Sequence, residues 1–149
     1  QGHYKMLHLP DGLSKDSLHM LVTLEPQIKE ISELIHSTDV LVFGIGQALH
    51  MADVRHLPES TRHMLVDGGA VGEALGQYCS IDGSVVYATN NIGLSLGDIQ
   101  HIPHVIAVAG GYEKAEAIIS IMRACKKAIL IIDEQAAEGM KDVLNLSHL

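Results

Sequence analysis

Residues 40–45, 105–109 and 128–132 are continuously apolar or glycine, with no polar residue interleaved. Successive side chains of a strand point to opposite faces, so an unbroken apolar run predicts a strand buried on both. The periodicity then changes. Ala115, Ile118, Ile119 and Met122 recur at helical spacing after the second run, as do Ala136, Ala137 and Met140 after the third. Ahead of the first run, Leu18, Leu21 and Val22 share one helical face behind a capping Ser14. Ile28, Ile31, Leu34 and Ile35 share another behind Pro26, whose missing N–H costs nothing in a first turn.

Residues 4–9 predict a short strand stopped by Pro10, and the residues after Leu144 read as a fraying tail. A long insertion, residues 47–103, separates the first two apolar runs. It predicts a helix over residues 70–76 and a hairpin of residues 78–81 and 84–87 around Asp82 and Gly83, a pair suited to a tight turn.

Strands alternating with helices at this spacing imply one α/β domain. Its parallel sheet is Rossmann-like, with helices on both faces and an inserted hairpin, because parallel strands need crossovers. Ligands bind such sheets at the carboxyl ends of the strands. The first run passes through Gly44-Ile45-Gly46, the second ends on Gly110 and Gly111, and the third ends on Asp133, which makes these ends the place to look for a site.

Composition narrows the picture. Hydrophobic residues are 47% of the chain but aromatics only 3%, with no Trp and one Phe, so the core must come from aliphatic side chains. Ten Lys and Arg against eighteen Asp and Glu give a formal charge of −8 without a basic cluster, which opposes direct contact with DNA. No apolar run reaches the ~20 residues of a membrane span, and no signal peptide is evident, so the expectation is a cytoplasmic protein with no membrane contact. Cys79 and Cys125 lack ligand spacing and fit reduced thiols; the ten His are scattered, and neither a metal nor a cofactor is expected.

The most informative stretch is Gly110-Gly111-Tyr112-Glu113-Lys114, a strand-to-helix turn that could aim backbone N–H groups at an anion. A lysine in a first helical turn opposes the helix dipole unless an anion lies between, although pointing into water is an equally good reading. Gly44 and Gly46 form a second glycine turn, suited to close approach; the dinucleotide fingerprint is absent because Leu49 stands where a third glycine would be. Asp67, Gly69 and Glu73 place two acceptor carboxylates beside glycines, where helix capping by Asp67 and dipole stabilisation by Glu73 are the simpler roles. Arg55 and Arg62 lie in a polar section, residues 50–63, able to close over a charged ligand or to form a solvated face.

Taken in order, Gly44-Ile45-Gly46, Gly69-Ala70-Val71-Gly72-Glu73, Asp82-Gly83, Ile92-Gly93, Ile102-Pro103, Ala109-Gly110-Gly111 with Lys114-Ala115-Glu116-Ala117-Ile118, and Ile132-Asp133-Glu134 resemble the sugar-binding domain of SorC-family transcriptional repressors. The resemblance covers nearly the whole chain. It implies a fold similar to the sugar-phosphate isomerase, glucosamine-6-phosphate deaminase and CoA-transferase group. It also implies a phosphorylated sugar such as fructose 1,6-bisphosphate as effector, no catalysis, and a homo-oligomer, dimer or tetramer. By motif, Lys114 with Gly110 and Gly111 would hold a phosphate, Glu73 with Gly44 and Gly46 would meet the sugar, and Arg55 is a further contact. The same resemblance implies that the helix-turn-helix contacting operator DNA, and the first part of the sensor domain, lie outside this sequence. That predicts a weakened bisphosphate site and an uncovered sheet edge. The competing expectation is an isomerase- or deaminase-like enzyme with Asp67 or Glu73 as general base.

Overall fold

The computed structural model describes residues 2–146. Helices α1 (Lys15–Leu24) and α2 (Pro26–His36) open the chain. Ser14 caps α1, its side chain accepting from the Ser17 amide at 3.1 Å, and Pro26 starts α2. Strand β1 (Val40–Gly44) follows, and after Ile45 the two-residue strand β2 (Gly46–Gln47) joins a different sheet. Helices α3 (Ala48–Val54) and α4 (Glu59–Asp67) lead to strands β3 (Ala70–Ala74), β4 (Gln77–Ser80) and β5 (Val85–Ala88). Strand β6 (His104–Ala109), helix α5 (Ala115–Ala124), strand β7 (Ile129–Ile132) and helix α6 (Glu134–Leu146) complete the fold.

β1, β6 and β7 form a parallel sheet in the order β1-β6-β7, while β2, β3, β4 and β5 form an antiparallel sheet. The α/β class, the parallel sheet and the inserted hairpin expected from the sequence are all present. The hairpin of β4 and β5 turns at Asp82 and Gly83: Asp82 Oδ1 accepts from the Ser80 hydroxyl at 2.6 Å and the Ser84 amide at 3.0 Å. These bonds hold the Asp82 carboxyl below its ordinary pKa.

Helix α5 joins the two sheets. Ile118 and Ile121 are fully buried with Phe43, Val105 and Ala107 of the parallel sheet. On its other side the helix reaches β3 so closely that a Cβ on Gly72 would stand 2.7 Å from the Ala117 carbonyl oxygen. Ser120, also fully buried, donates to the carbonyls of Cys79 at 3.1 Å and Ser80 at 2.7 Å. A second core of Ala48, Ala52, Leu65, Ala70 and Tyr78 lies between α3, α4 and the antiparallel sheet.

Four expectations are corrected. Residues 70–76 are not a helix: Ala70–Ala74 is β3, because its small residues fit under α5 and its ladder is filled by β2 and β4. Residues 4–9 form no strand; no neighbouring strand offers them a ladder, Tyr4 and Met6 stand exposed, and Lys5 pairs with Glu30 of α2. The apolar runs are not buried on both sides. Val40, Val42, Val108, Ile129 and Ile131 share one face of the parallel sheet and are 42–62% exposed, while Phe43, Val105 and Ala107 on the other face are buried. Finally, α6 continues through residue 146, so only residues 147–149 of the expected tail remain, and these lie outside the described residues.

Candidate functional site

Gly44-Ile45-Gly46 is the point where the chain leaves the parallel sheet and enters the antiparallel one. The Ile45 amide still donates to Val108 O at 3.3 Å, extending the parallel ladder, and Gly46 already pairs with Glu73 of β3. A side chain at Gly46 would overlap Met51 and stand 3.6 Å from a Glu73 carboxylate oxygen. Glycine here therefore lets β2, α3 and Glu73 converge. What they enclose, with the carboxyl ends of β1 and β6, is a cavity of about 640 Å³.

Five residues singled out from the sequence line this cavity: Gly44, Gly46, Arg55, Glu73 and Lys114. Glu73 is only 3% exposed, and its Oε1 accepts from Arg55 at 3.0 Å and from the Gly76 amide at 2.8 Å. The tight turn that delivers this amide runs through Leu75 and Gly76, both at positive φ (53° and 76°). Positive φ is common for glycine but uncommon for leucine, so the close approach is purchased with local strain.

Lys114 ends a single-turn 310 helix (Tyr112–Lys114) and caps α5. Its Nζ donates to Ile45 O at 3.3 Å, and among the described residues it forms no ion pair. The ammonium is thus fixed across the cavity mouth with its charge uncancelled by direct contact. Glu113 also lines the wall and opposes an anion; its backbone carbonyl accepts from the Gln47 side chain at 2.9 Å.

The other sequence candidates lie elsewhere. The Gly111 amide donates to both Asp133 carboxylate oxygens at 3.1 Å, so the protein's own carboxylate occupies the anion position of that turn. A Cβ at Gly110 would stand 2.7 Å from the same carboxylate. Asp133 also accepts from the Ala136 amide at 2.8 Å, capping α6, and these bonds from Ala136 and Gly111 hold its carboxyl below the ordinary range. Asp67 ends α4 and Gly69 follows it at φ 65°; neither lines the cavity. Arg62 pairs with Asp53 rather than facing a ligand.

His50, Met51 and Leu75 line the cavity but were not singled out. His50 and Met51 sit on α3, which lacked a sequence signal of its own, while Leu75 depends on a turn that leucine seldom makes. Among the described residues no three metal-ligating side chains come together, and no helix is long and apolar enough to cross a membrane. Cys79 and Cys125 are buried free thiols, and burial pushes Cys79 up to about 11.

A two-sheet α/β domain with a charged cavity at its strand ends matches the Sugar-bind family of sugar-binding domains over residues 1–140. It is also similar to a solved SorC-family transcriptional regulator from Enterococcus faecalis, at TM-score 0.86 and 40% identity over 94% of this chain and 57% of that one. The chain belongs to the sugar-binding domain family of SorC-type transcriptional regulators. Among curated relatives it is 42% identical to the central glycolytic genes regulator of Priestia megaterium, over 93% of this chain and 40% of the relative. It is 40% identical to the regulator of the same name from Bacillus subtilis, over 93% of this chain and 41% of the relative. The chain thus spans about two fifths of the length of these curated relatives.

Proposed function

We propose that this domain senses a phosphorylated sugar, with fructose 1,6-bisphosphate the first candidate, on behalf of a transcriptional repressor of sugar-utilising or glycolytic genes. The observation that carries the reading is the Lys114 ammonium, held at the carboxyl ends of β1 and β6 without a carboxylate partner among the described residues. A phosphate there would gain a charge-assisted hydrogen bond, while Glu73 and the Gly44 to Gly46 turn face the sugar hydroxyls. Arg55, partly committed to Glu73, has further N–H donors for a second anionic group. The names of the Priestia and Bacillus relatives support the link to glycolytic genes.

The role is binding rather than chemistry. Asp67 stands outside the cavity, and the hold of Arg55 and the Gly76 amide on Glu73 Oε1 supports Glu73 as a fixed acceptor of sugar hydroxyls rather than a general base. The effector acts through differential affinity: it favours the assembly state that holds operator DNA poorly, DNA being held by another domain of the regulator in the cytoplasm. A homo-oligomer, dimer or tetramer, is part of this reading, supported by the apolar face of Val40, Val42 and Ile131. Sedimentation that finds only monomer at high concentration contradicts that part.

Thermal unfolding with fructose 1,6-bisphosphate, fructose 6-phosphate, glucose 6-phosphate and glucosamine 6-phosphate tests the ligand class. Ligand at a hundred times its Kd adds about 2.7 kcal/mol, several degrees for a domain this size. Stabilisation with the sugar recovered unchanged supports the sensor; conversion of the sugar supports an enzyme, and no stabilisation by any of the four rejects the reading.

A further inference from the structure

The wall of the Lys114 cavity is balanced in charge: two cations, Lys114 and Arg55, face two carboxylates, Glu73 and Glu113. A phosphate monoester carries about −1.5 to −2 charge at pH 7, so a balanced wall leaves most of an anionic ligand's charge unmet. The same wall holds one histidine, His50. We propose that His50 is a proton-linked contact of the anionic ligand: binding draws a proton from solvent onto its imidazole, so its contribution to affinity grows as pH falls. The inference rests on the sugar-phosphate reading and adds to it the regulation of that site by pH.

His50 stands exposed in the first turn of α3 and lines both the Lys114 cavity and an adjoining cleft of about 270 Å³. Among the described residues its imidazole makes no ion pair. The charges around it are engaged elsewhere or stand apart. On its own helix Asp53 pairs with Arg62 of α4, and Arg55, which ends the helix, pairs with Glu73 of β3. On α4, His63 pairs with Glu59, and Asp67 ends the helix away from the cavity; His56 lines a different cavity. From the far wall Lys114 reaches Ile45 O, Glu113 lines both spaces, and Glu116 of α5 lines the cleft alone. No carboxylate is within ion-pair reach of the imidazole, so the fold locks neither of its charge states.

Imidazole is the side chain whose charge ordinarily changes between pH 5 and 8, and an anion beside it favours the charged form. A phosphate seated between Lys114 and His50 supplies that anion. The gain is complete where His50 is protonated with or without ligand, and it is lost as pH rises through the value of the ligand-bound imidazole. Lys114, charged throughout this range, gives the cavity its pH-independent hold on phosphate.

Titration calorimetry at pH 6, 7 and 8.5 with the four sugar phosphates compares the whole chain with His50→Gln and His50→Lys. The position is exposed and unpaired, so both variants keep the fold, as circular dichroism verifies. A phosphate monoester itself titrates near pH 6, and the ratio of variant to wild-type Kd at each pH cancels that contribution. His50→Gln is expected to bind about fivefold more weakly at pH 6, the upper range for an exposed charge pair, and about as well as wild type at pH 8.5. His50→Lys, whose charge persists, is expected to match wild type at pH 6 and to exceed it at pH 8.5. At pH 7, in buffers of different ionisation enthalpy, wild type takes up more protons on binding than His50→Gln does. A His50→Gln ratio that is the same at pH 6 and 8.5, or equal proton uptake by the two proteins, overturns the inference and leaves the sugar-phosphate reading standing. Wild type that binds none of the four at any pH rejects that reading and the inference with it.

Discussion

Two glycine turns stand at the carboxyl ends of neighbouring strands, and they serve the site in opposite ways. Gly44-Ile45-Gly46 borders the cavity, and its glycines supply room: Gly46 admits Met51 and Glu73, while nothing crowds Gly44 closer than Val108 O at 4.0 Å. Gly110-Gly111 stays outside; its amide is taken by Asp133, and its effect on the cavity is to set the helix start from which Lys114 reaches Ile45. A glycine turn after a parallel strand is thus no anion site in itself. What decides is whether the turn borders open space, as at Gly44 and Gly46, or is filled by the protein's own carboxylate, as at Gly111.

The difference predicts a graded series. Gly111→Ala has the largest effect on the fold, because φ 99° and ψ 139° are strained for any L side chain and its Cβ would press on Glu113. Strain of this kind costs about 1–3 kcal/mol, a fall in Tm of several degrees by calorimetry. An unchanged Tm would show that the turn relaxes freely.

Asp133→Asn comes next, losing part of the α6 cap and the Gly111 tie, and lowering Tm less than Gly111→Ala does. Its pH dependence has a defined sign. The folded carboxyl lies below its unfolded value of about 3.9, so the stability it contributes is present above that pH and is lost as pH falls through the folded value. The stability gap between wild type and Asp133→Asn is therefore flat near neutrality and closes below about pH 4, followed by denaturant melts across the range. Sugar-phosphate affinity at neutral pH stays unchanged in this variant.

Gly44→Ala has the smallest effect on stability, within about 0.5 kcal/mol, since the added methyl meets only ordinary contacts. It nevertheless narrows the cavity and lowers sugar-phosphate affinity. A stability loss as large as that of Gly111→Ala would erase the distinction between the turns.

The legible parts of the fold were those with repetitive chemistry. The apolar runs marked β1, β6 and β7, and Asp82-Gly83 marked the hairpin, because each signal is local. Burial on both faces did not follow from the same runs, since what covers Val42 and Ile131 is not a property of the strand that carries them. β3 was hidden because Gly72 and Ala74 are small to fit under α5, a tertiary demand that overrides strand propensity. At the site, Gly44, Gly46, Arg55, Glu73 and Lys114 converge as a set, but their geometry depends on the two-residue Leu75-Gly76 hairpin turn, whose first positive-φ position leucine seldom fills.

Titration calorimetry of fructose 1,6-bisphosphate into the wild type, Lys114→Ala and Asp133→Asn tests the central claim most directly. If the unpaired ammonium holds the phosphate, Lys114→Ala loses a charge-assisted bond of about 1.5–3 kcal/mol, roughly a 10- to 150-fold rise in Kd, while Asp133→Asn binds like wild type. Equal affinity in the wild type and Lys114→Ala, or a comparable loss in Asp133→Asn, would contradict the placement of the phosphate on Lys114.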